Sequence, residues 1–337
     1  MKSRGRFTNT VDFGYIPKVF EYSAVSKGMA HADVNYARGV EEIDLDEYDN
    51  GEGEIQEQTV KYGVVIKNRV SSKDYQPPML PEIAITLSEL VNKPNVSIKE
   101  VERAVIKDPT VAARVVAVSN SVFYSRGTAV KSLRDAIMRL GLHEVRDVAF
   151  QAVAKTTIFR VPGFSERMRE MFEAAQAAGL LAKKVCQILK FESEMAYLCG
   201  LLHDMGEAII LGILGGELKG KPAPESVAAK ALERAIRAFH APTGARVCSM
   251  WGLPNRVCEA VMHHHKPEAS AEGMQMALVV KVADLLLEHA GIGVPQRVLD
   301  PMSEPLFYQL NLSPDQVITL LGYAESVGEN REALDPV

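Results

Sequence analysis

The sequence predicts an all-α chain arranged as two helical lobes behind an acidic N-terminal segment. Three observations predict it. Helix-capping signals recur from Ser97 to Ser313, and apolar residues between them return every three or four positions. No alternating apolar and polar run of useful length follows residue 77. The 337 residues, 47% hydrophobic and 24% charged, have ordinary globular composition, and that length suits roughly two domains.

Residues 1–69 stand apart. Nine acidic residues fall between Glu41 and Gln58 with no Lys or Arg among them, so mutual repulsion favours a solvated linker over an arm docked on a basic partner. Val60–Val70 (VKYGVVIKNRV) is rich in β-branched residues and reads as a short strand. From Pro77 onward the punctuation is helical. Ser97 with Glu100 forms a capping box, and the helix behind it carries Ile98, Val101, Ala104 and Val105 on one face. Asp108-Pro109 supplies a cap and a first-turn Pro for the next helix, with Val111, Val115 and Val118 following. That helix runs out at Asn120, read as a left-handed C-cap rather than a ligand-binding groove residue. Ser132 caps a helix striped by Leu133, Ile137 and Leu140 and stopped by Gly141. Arg134, Arg139 and Arg146 read as a solvated helix surface as readily as a basic face. Further helices are expected near 166–190, 193–214, 225–240, 243–251, 255–265, 272–290 and 314–325, the last capped by Ser313-Pro314.

Charge and cysteine usage narrow the function classes. The 38 Lys and Arg against 43 Asp and Glu give a net charge of −5, which argues against nucleic acid as the main partner. A membrane-spanning helix needs about 20 apolar residues, and no charge-free run approaches that length. Met1–Thr10 lacks an apolar core, so no secretory signal is expected. Cys186, Cys199, Cys248 and Cys258 form no C-x-x-C pair and read as core residues of a reduced, cytoplasmic protein.

The ionisable residues that call for an explanation lie in the second half. His203-Asp204 interrupts the apolar LLHDMGEAIIL, His240 precedes Pro242, His263, His264 and His265 are consecutive, and Asp284 breaks ALVVKVADLLL. Any one of them is explained as a satisfied core group or a cap. As an ordered set on apolar helices they point to a site, and imidazole with carboxylate suits Zn, Mn, Fe or Ni rather than Ca. No P-loop, dinucleotide fingerprint or G-x-S-x-G elbow is present.

These stretches carry a resemblance. PPMLPEIAITLSEL, VIKDPTVAARVVAVSNSVFYS and SLRDAIMRLGLHEVRDVAF resemble the N-terminal lobe of the HDOD family. LCGLLHDMGEAIIL, FHAPTGARVCSMWGLP, AVMHHH and KVADLLL resemble its C-terminal lobe, a relative of the HD-domain metal phosphohydrolases. The resemblance spans about 70–290, implying an N-terminal lobe over 70–160 and an HD-like lobe over 161–290. Residues 1–69 then precede the domain, and 291–337 form an extension with one helix. It also implies a vestigial metal set of His203, Asp204, His240, His263, His264 and Asp284. In catalytic relatives an earlier helix donates another His; here Ala174 stands at that place, and Glu207 replaces a Lys three residues after the Asp. A carboxylate there would repel phosphate, by about 1–4 kcal/mol at about 4 Å.

The resemblance therefore implies a cytoplasmic, non-enzymatic signalling module, a helical scaffold for a partner protein, with no catalytic residues. It implies no cofactor beyond, at most, one divalent metal ion (Mn, Fe, Zn or Mg). A homodimer and a nucleotide second messenger stay open. The rival expectation is a metal-dependent phosphohydrolase or cyclic-dinucleotide phosphodiesterase in which Gln176, His143 or water replaces the missing ligand. A third is a domain that senses a nucleotide without cutting it.

Overall fold

The computed structural model describes residues 36, 39–43, 53–121, 124–125, 127–218, 221–223, 225–270, 272–297, 299–300 and 303–329. The described residues are helical and contain no strand. Most of the acidic run, 44–52, and Met1–Thr10 lie outside them.

Helix α1 (Gly53–Val70) covers the segment expected to be a strand. A lone strand has no partner for its backbone, whereas a helix satisfies its own. It also gathers Ile55, Thr59, Tyr62, Gly63, Ile66 and Val70 on one buried stripe, and that periodicity overrides the β-branched composition. Behind it, residues 39–43 lie alongside: Lys67 Nζ donates to the Ile43 carbonyl at 2.6 Å.

Five helices make the N-terminal lobe: α2 (Glu82–Val91), α3 (Ile98–Val105), α4 (Pro109–Ser119), α5 (Leu133–Leu140) and α6 (Leu142–Thr157). Their starts follow from the caps. Glu100 Oε2 accepts from the Ser97 amide at 2.9 Å while Ser97 Oγ accepts from the Glu100 amide at 3.3 Å. Asp108 Oδ1 accepts from the Thr110 and Val111 amides, and Ser132 Oγ from the Asp135 amide. Each such cap contributes about 1 kcal/mol. Asn120 does cap α4, but with a right-handed φ of −99°. Its amide side chain clasps the following loop, exchanging two 2.8 Å hydrogen bonds with the backbone of Val130. The three arginines do not make a basic face. Arg134 lies beside Glu102, Arg139 donates to the Ser119 and Thr128 carbonyls, and Arg146 is buried against Asp147.

The second lobe contains α7 (Ser165–Leu189), α8 (Ala196–Leu202), α9 (Met205–Leu218), α10 (Val227–Met250), α11 (Asn255–His263) and α12 (Met274–Ala290). A short α13 (Pro305–Gln309) leads to α14 (Pro314–Glu329), which returns to pack on α12 and α7. Although α1 precedes the first lobe in sequence, it packs on α10 and α9 of the second. Two expected helices on either side of Pro242 are one: Pro242 sits inside α10, where its missing N–H leaves a single rung open. One expected helix is two, because the chain breaks at His203-Asp204 between α8 and α9. The run Ala196–Gly216 is apolar enough by composition to cross a membrane, and 72% of its most apolar 18-residue window is buried within the protein. All four cysteines are buried and free.

Two glycines set how closely this lobe packs. A Cβ on Gly200 would lie 2.5 Å from the Ala178 carbonyl oxygen, so α8 can press directly on α7. A Cβ on Gly206 would lie 1.9 Å from the His240 carbonyl oxygen, so the start of α9 touches the backbone of α10. The second approach brings the His203-Asp204 break beside His240.

Candidate metal centre

The α8–α9 break supplies His203 and Asp204, mid-α10 supplies His240, the end of α11 supplies His264 and His265, and α12 supplies Asp284. Asp204 is the hub. Its Oδ2 lies 3.1 Å from His203 Nε2, and its Oδ1 lies 3.4 Å from His264 Nε2 and 3.5 Å from His240 Nε2. His240 Nε2 is in turn 3.3 Å from His264 Nε2 and 2.9 Å from His265 Nε2. Two groups of donors result, His203, Asp204 and Asp284 on one side and His240, His264 and His265 on the other, each with its ligand atoms within 4.8 Å of one another.

The backbone orients the rings. His203 Nδ1 lies 2.7 Å from the Gly200 carbonyl, His240 Nδ1 3.0 Å from Ile236 and His264 Nδ1 2.7 Å from Val261. A carbonyl oxygen only accepts, so each Nδ1 carries a proton and each ring turns its Nε2 toward Asp204. Lone pairs converging at 3.3 Å repel unless a proton or a cation lies among them. Fixing Nδ1–H on a carbonyl so that Nε2 faces a carboxylate is how metal-binding histidines are held, and the donor set fits a divalent ion of the Mn, Fe or Zn type.

Electrostatics express the same crowding. Burial alone would push His203 down, but the Asp204 carboxylate outweighs it and raises this imidazole to about 9. Asp204 is held well below the usual carboxylate range despite burial, by His203 and by His264 and His240 behind it. Burial pushes His264 down, and burial with the neighbouring rings takes His265 to about 3. Asp284 is pushed up to about 6 by burial and by Asp204.

Of the residues the sequence singles out, His203, Asp204, His240, His264 and Asp284 come together. His263 does not: its ring turns outward, with Nε2 3.9 Å from Glu259. His265, left out of the expected ligand set, takes the place beside His240. Gln176 is buried in α7, and His143 sits at the lobe boundary beside Glu194. Ala174 faces the turn after α12, where a Cβ on Gly293 would lie 2.7 Å from its methyl. Glu207 does not stand alone. Arg167 of α7 reaches it with Nη2 at 3.3 Å and forks onto Glu233 of α10 with both Nη1 and Nη2. The expected repulsion at position 207 is thus locally countered by a guanidinium.

The HDOD domain model matches residues 78–267. The chain belongs to the HDOD domain family. Solved structures share its fold. One is an HDOD domain protein of unknown function from Geobacter sulfurreducens, with a TM-score of 0.64 and 19% identity, covering 84% of this chain and 100% of that one. A second, from Shewanella amazonensis SB2B, bears a name that proposes a metal-dependent phosphohydrolase; its TM-score is 0.63 at 21% identity, over 82% of this chain and 100% of that one. A third, from Marinobacter aquaeolei VT8, bears a name that proposes a signal transduction protein, with a TM-score of 0.60 and 20% identity over 86% of this chain and 67% of that one. At such identities the likeness is one of fold. A Treponema pallidum (strain Nichols) protein of uncharacterized role is 21% identical over 241 residues, 69% of this chain. The HDOD chain described here spans 46% of that relative's length.

Proposed function

We propose that this HDOD chain is a signal-transduction module in which the HD-like lobe binds a divalent metal ion and the helical framework serves as a scaffold for a partner protein. One observation carries the metal reading: three imidazoles, each tied through Nδ1 to a backbone carbonyl, turn Nε2 toward the single carboxylate of Asp204. His203, Asp204 and Asp284 would hold one ion, and His240, His264 and His265 offer donors on the far side of Asp204. A bound divalent ion there supplies a Lewis acid able to polarise a phosphoryl oxygen. The chain's own residues set the rest: Asp204 anchors, the Nδ1 contacts fix ring orientation, and the apolar helices bury the His203 and His264 rings.

The scaffold half of the reading rests on Ala174. No imidazole is offered from α7 at that position, and the Gly293 turn occupies the space beside it. The second reading, a metal-dependent phosphohydrolase, is favoured by two donor groups sharing one carboxylate, the arrangement two-metal hydrolases use. Assay of phosphodiester and phosphomonoester hydrolysis with Mn or Fe separates them. The module reading expects bound metal with no turnover that His203→Ala abolishes; metal-dependent turnover lost in His203→Ala establishes the hydrolase instead.

A further inference from the structure

We infer that Arg167, Glu207 and Glu233 form an anion subsite beside the metal centre, in which the Arg167 guanidinium takes a phosphoryl group in place of Glu233. The inference rests on the metal reading above and names the ligand class of that site.

Arg167 stands in the first turn of α7 and is three-quarters buried, as is Glu207. Its Nη2 donates to Glu207 Oε2 at 3.3 Å and to Glu233 Oε2 at 3.2 Å, while Nη1 donates to Glu233 Oε1. The two carboxylates differ. Glu207 follows Asp204 by three residues in the first turn of α9, and its carboxyl is pushed up by burial and then by the Asp204 charge. The Glu207 amide donates to the Asp204 carbonyl at 3.0 Å, so Glu207 stands one helical turn from the donor cluster. Glu233 lies outside, with its side chain 55% exposed.

A carboxylate and a phosphoryl group present the same pair of oxygens to the guanidinium fork. Glu233 thus occupies the fork as a phosphate would, and its half-exposed carboxylate is the one of the two that solvent can release. Glu207, buried and fixed on Nη2, keeps the guanidinium aimed. Asp204 is itself 37% exposed, so the centre opens to solvent and an anion on Arg167 has an approach to it.

The test is titration calorimetry of the Mn-loaded full chain with inorganic phosphate, with metal content measured on the same samples. The expected result is that Arg167→Gln weakens phosphate binding at least tenfold at unchanged metal content. Glu233→Gln, which frees the fork, should strengthen it severalfold. Equal affinity in wild type and Arg167→Gln, or a metal-loaded wild type that binds no phosphate, overturns the inference and leaves the metal reading standing. If Arg167→Gln does not fold, an unchanged affinity in Glu233→Gln overturns it. A chain that takes up no metal overturns the metal reading, which the metal analysis shows separately.

Discussion

Gly206 meets the backbone of His240 so closely that a Cβ at position 206 would sit 1.9 Å from the His240 carbonyl oxygen. This contact sets the distance between the helix that starts after Asp204 and the helix that carries His240. Gly206→Ala should push α9 and α10 apart, costing about 1–3 kcal/mol by overpacking. Because the two donor groups meet across this contact, metal affinity should fall together with the denaturation midpoint. Midpoint and affinity both unchanged would show that the contact does not set the centre.

Ala174 and Gly293 form a second close pair, where α7 meets the turn after α12. Ala174→His, the change that would restore the family's earlier imidazole, should not complete the centre. The ring would collide with the turn at Gly293, which holds a φ of +74° that a larger residue adopts poorly. A loss of about 1–3 kcal/mol in urea denaturation is expected, without added bound metal. A variant as stable as wild type that binds more metal would contradict this account of position 174.

The segment ahead of α1 is tied to the helix that ends at His263. The buried Tyr36 hydroxyl has two acceptors within reach of its one proton, Asn255 Oδ1 at 2.9 Å and Glu259 Oε1 at 3.0 Å, and the Met262 side chain packs on Gly39. Tyr36→Phe leaves those acceptors without this donor and should cost about 1–2 kcal/mol. Hydrogen exchange should speed up along α11, next to His264 and His265. Protection of α11 equal to wild type would detach the segment from the centre.

At the lobe boundary Asp147 and Arg146 are both buried, and Arg146 also donates to the Glu194 carbonyl at 2.6 Å. Burial pushes the Asp147 carboxyl up to about 6 against the opposing pull of Arg146. A carboxyl raised on folding favours the folded state fully below its unfolded value of about 3.9, and that advantage is lost as pH rises through about 6. The Asp147 contribution should therefore decline between about pH 4 and 6 by up to about 3 kcal/mol. Asp147→Asn lowers overall stability by leaving Arg146 without its carboxylate, so the informative quantity is the slope. The fall over that interval should be shallower in the variant; identical slopes would remove Asp147 as its source.

Much of this was legible in the residues because local signals and tertiary packing agree. Ser97, Asp108, Ser132 and Ser313 all begin helices where their side chains can accept from free amides, and Gln316 answers Ser313 with its own bond to the Ser313 amide. Val60–Val70 misled because β-branched composition is a weaker signal than the period of the buried face. The histidines of the cluster were half legible. Val257, Val261 and His264 follow at spacings of four and three, so helical phase turns His264 inward. His263 falls on the Glu259 side of the helix. His265 lies beyond the end of α11, where periodicity no longer dictates direction, and the approach of His240 places it. Arg167 was invisible for another reason: its partners are 40 and 66 residues away, and no local pattern encodes such a meeting.

The most direct test of the central claim is the metal content of the chain purified without chelator, wild type against Asp204→Ala. If Asp204 is the shared anchor of a metal centre, wild type carries about one ion or more per chain and the folded variant carries almost none. A wild type with only traces of metal, or a variant that keeps the wild-type amount, contradicts it.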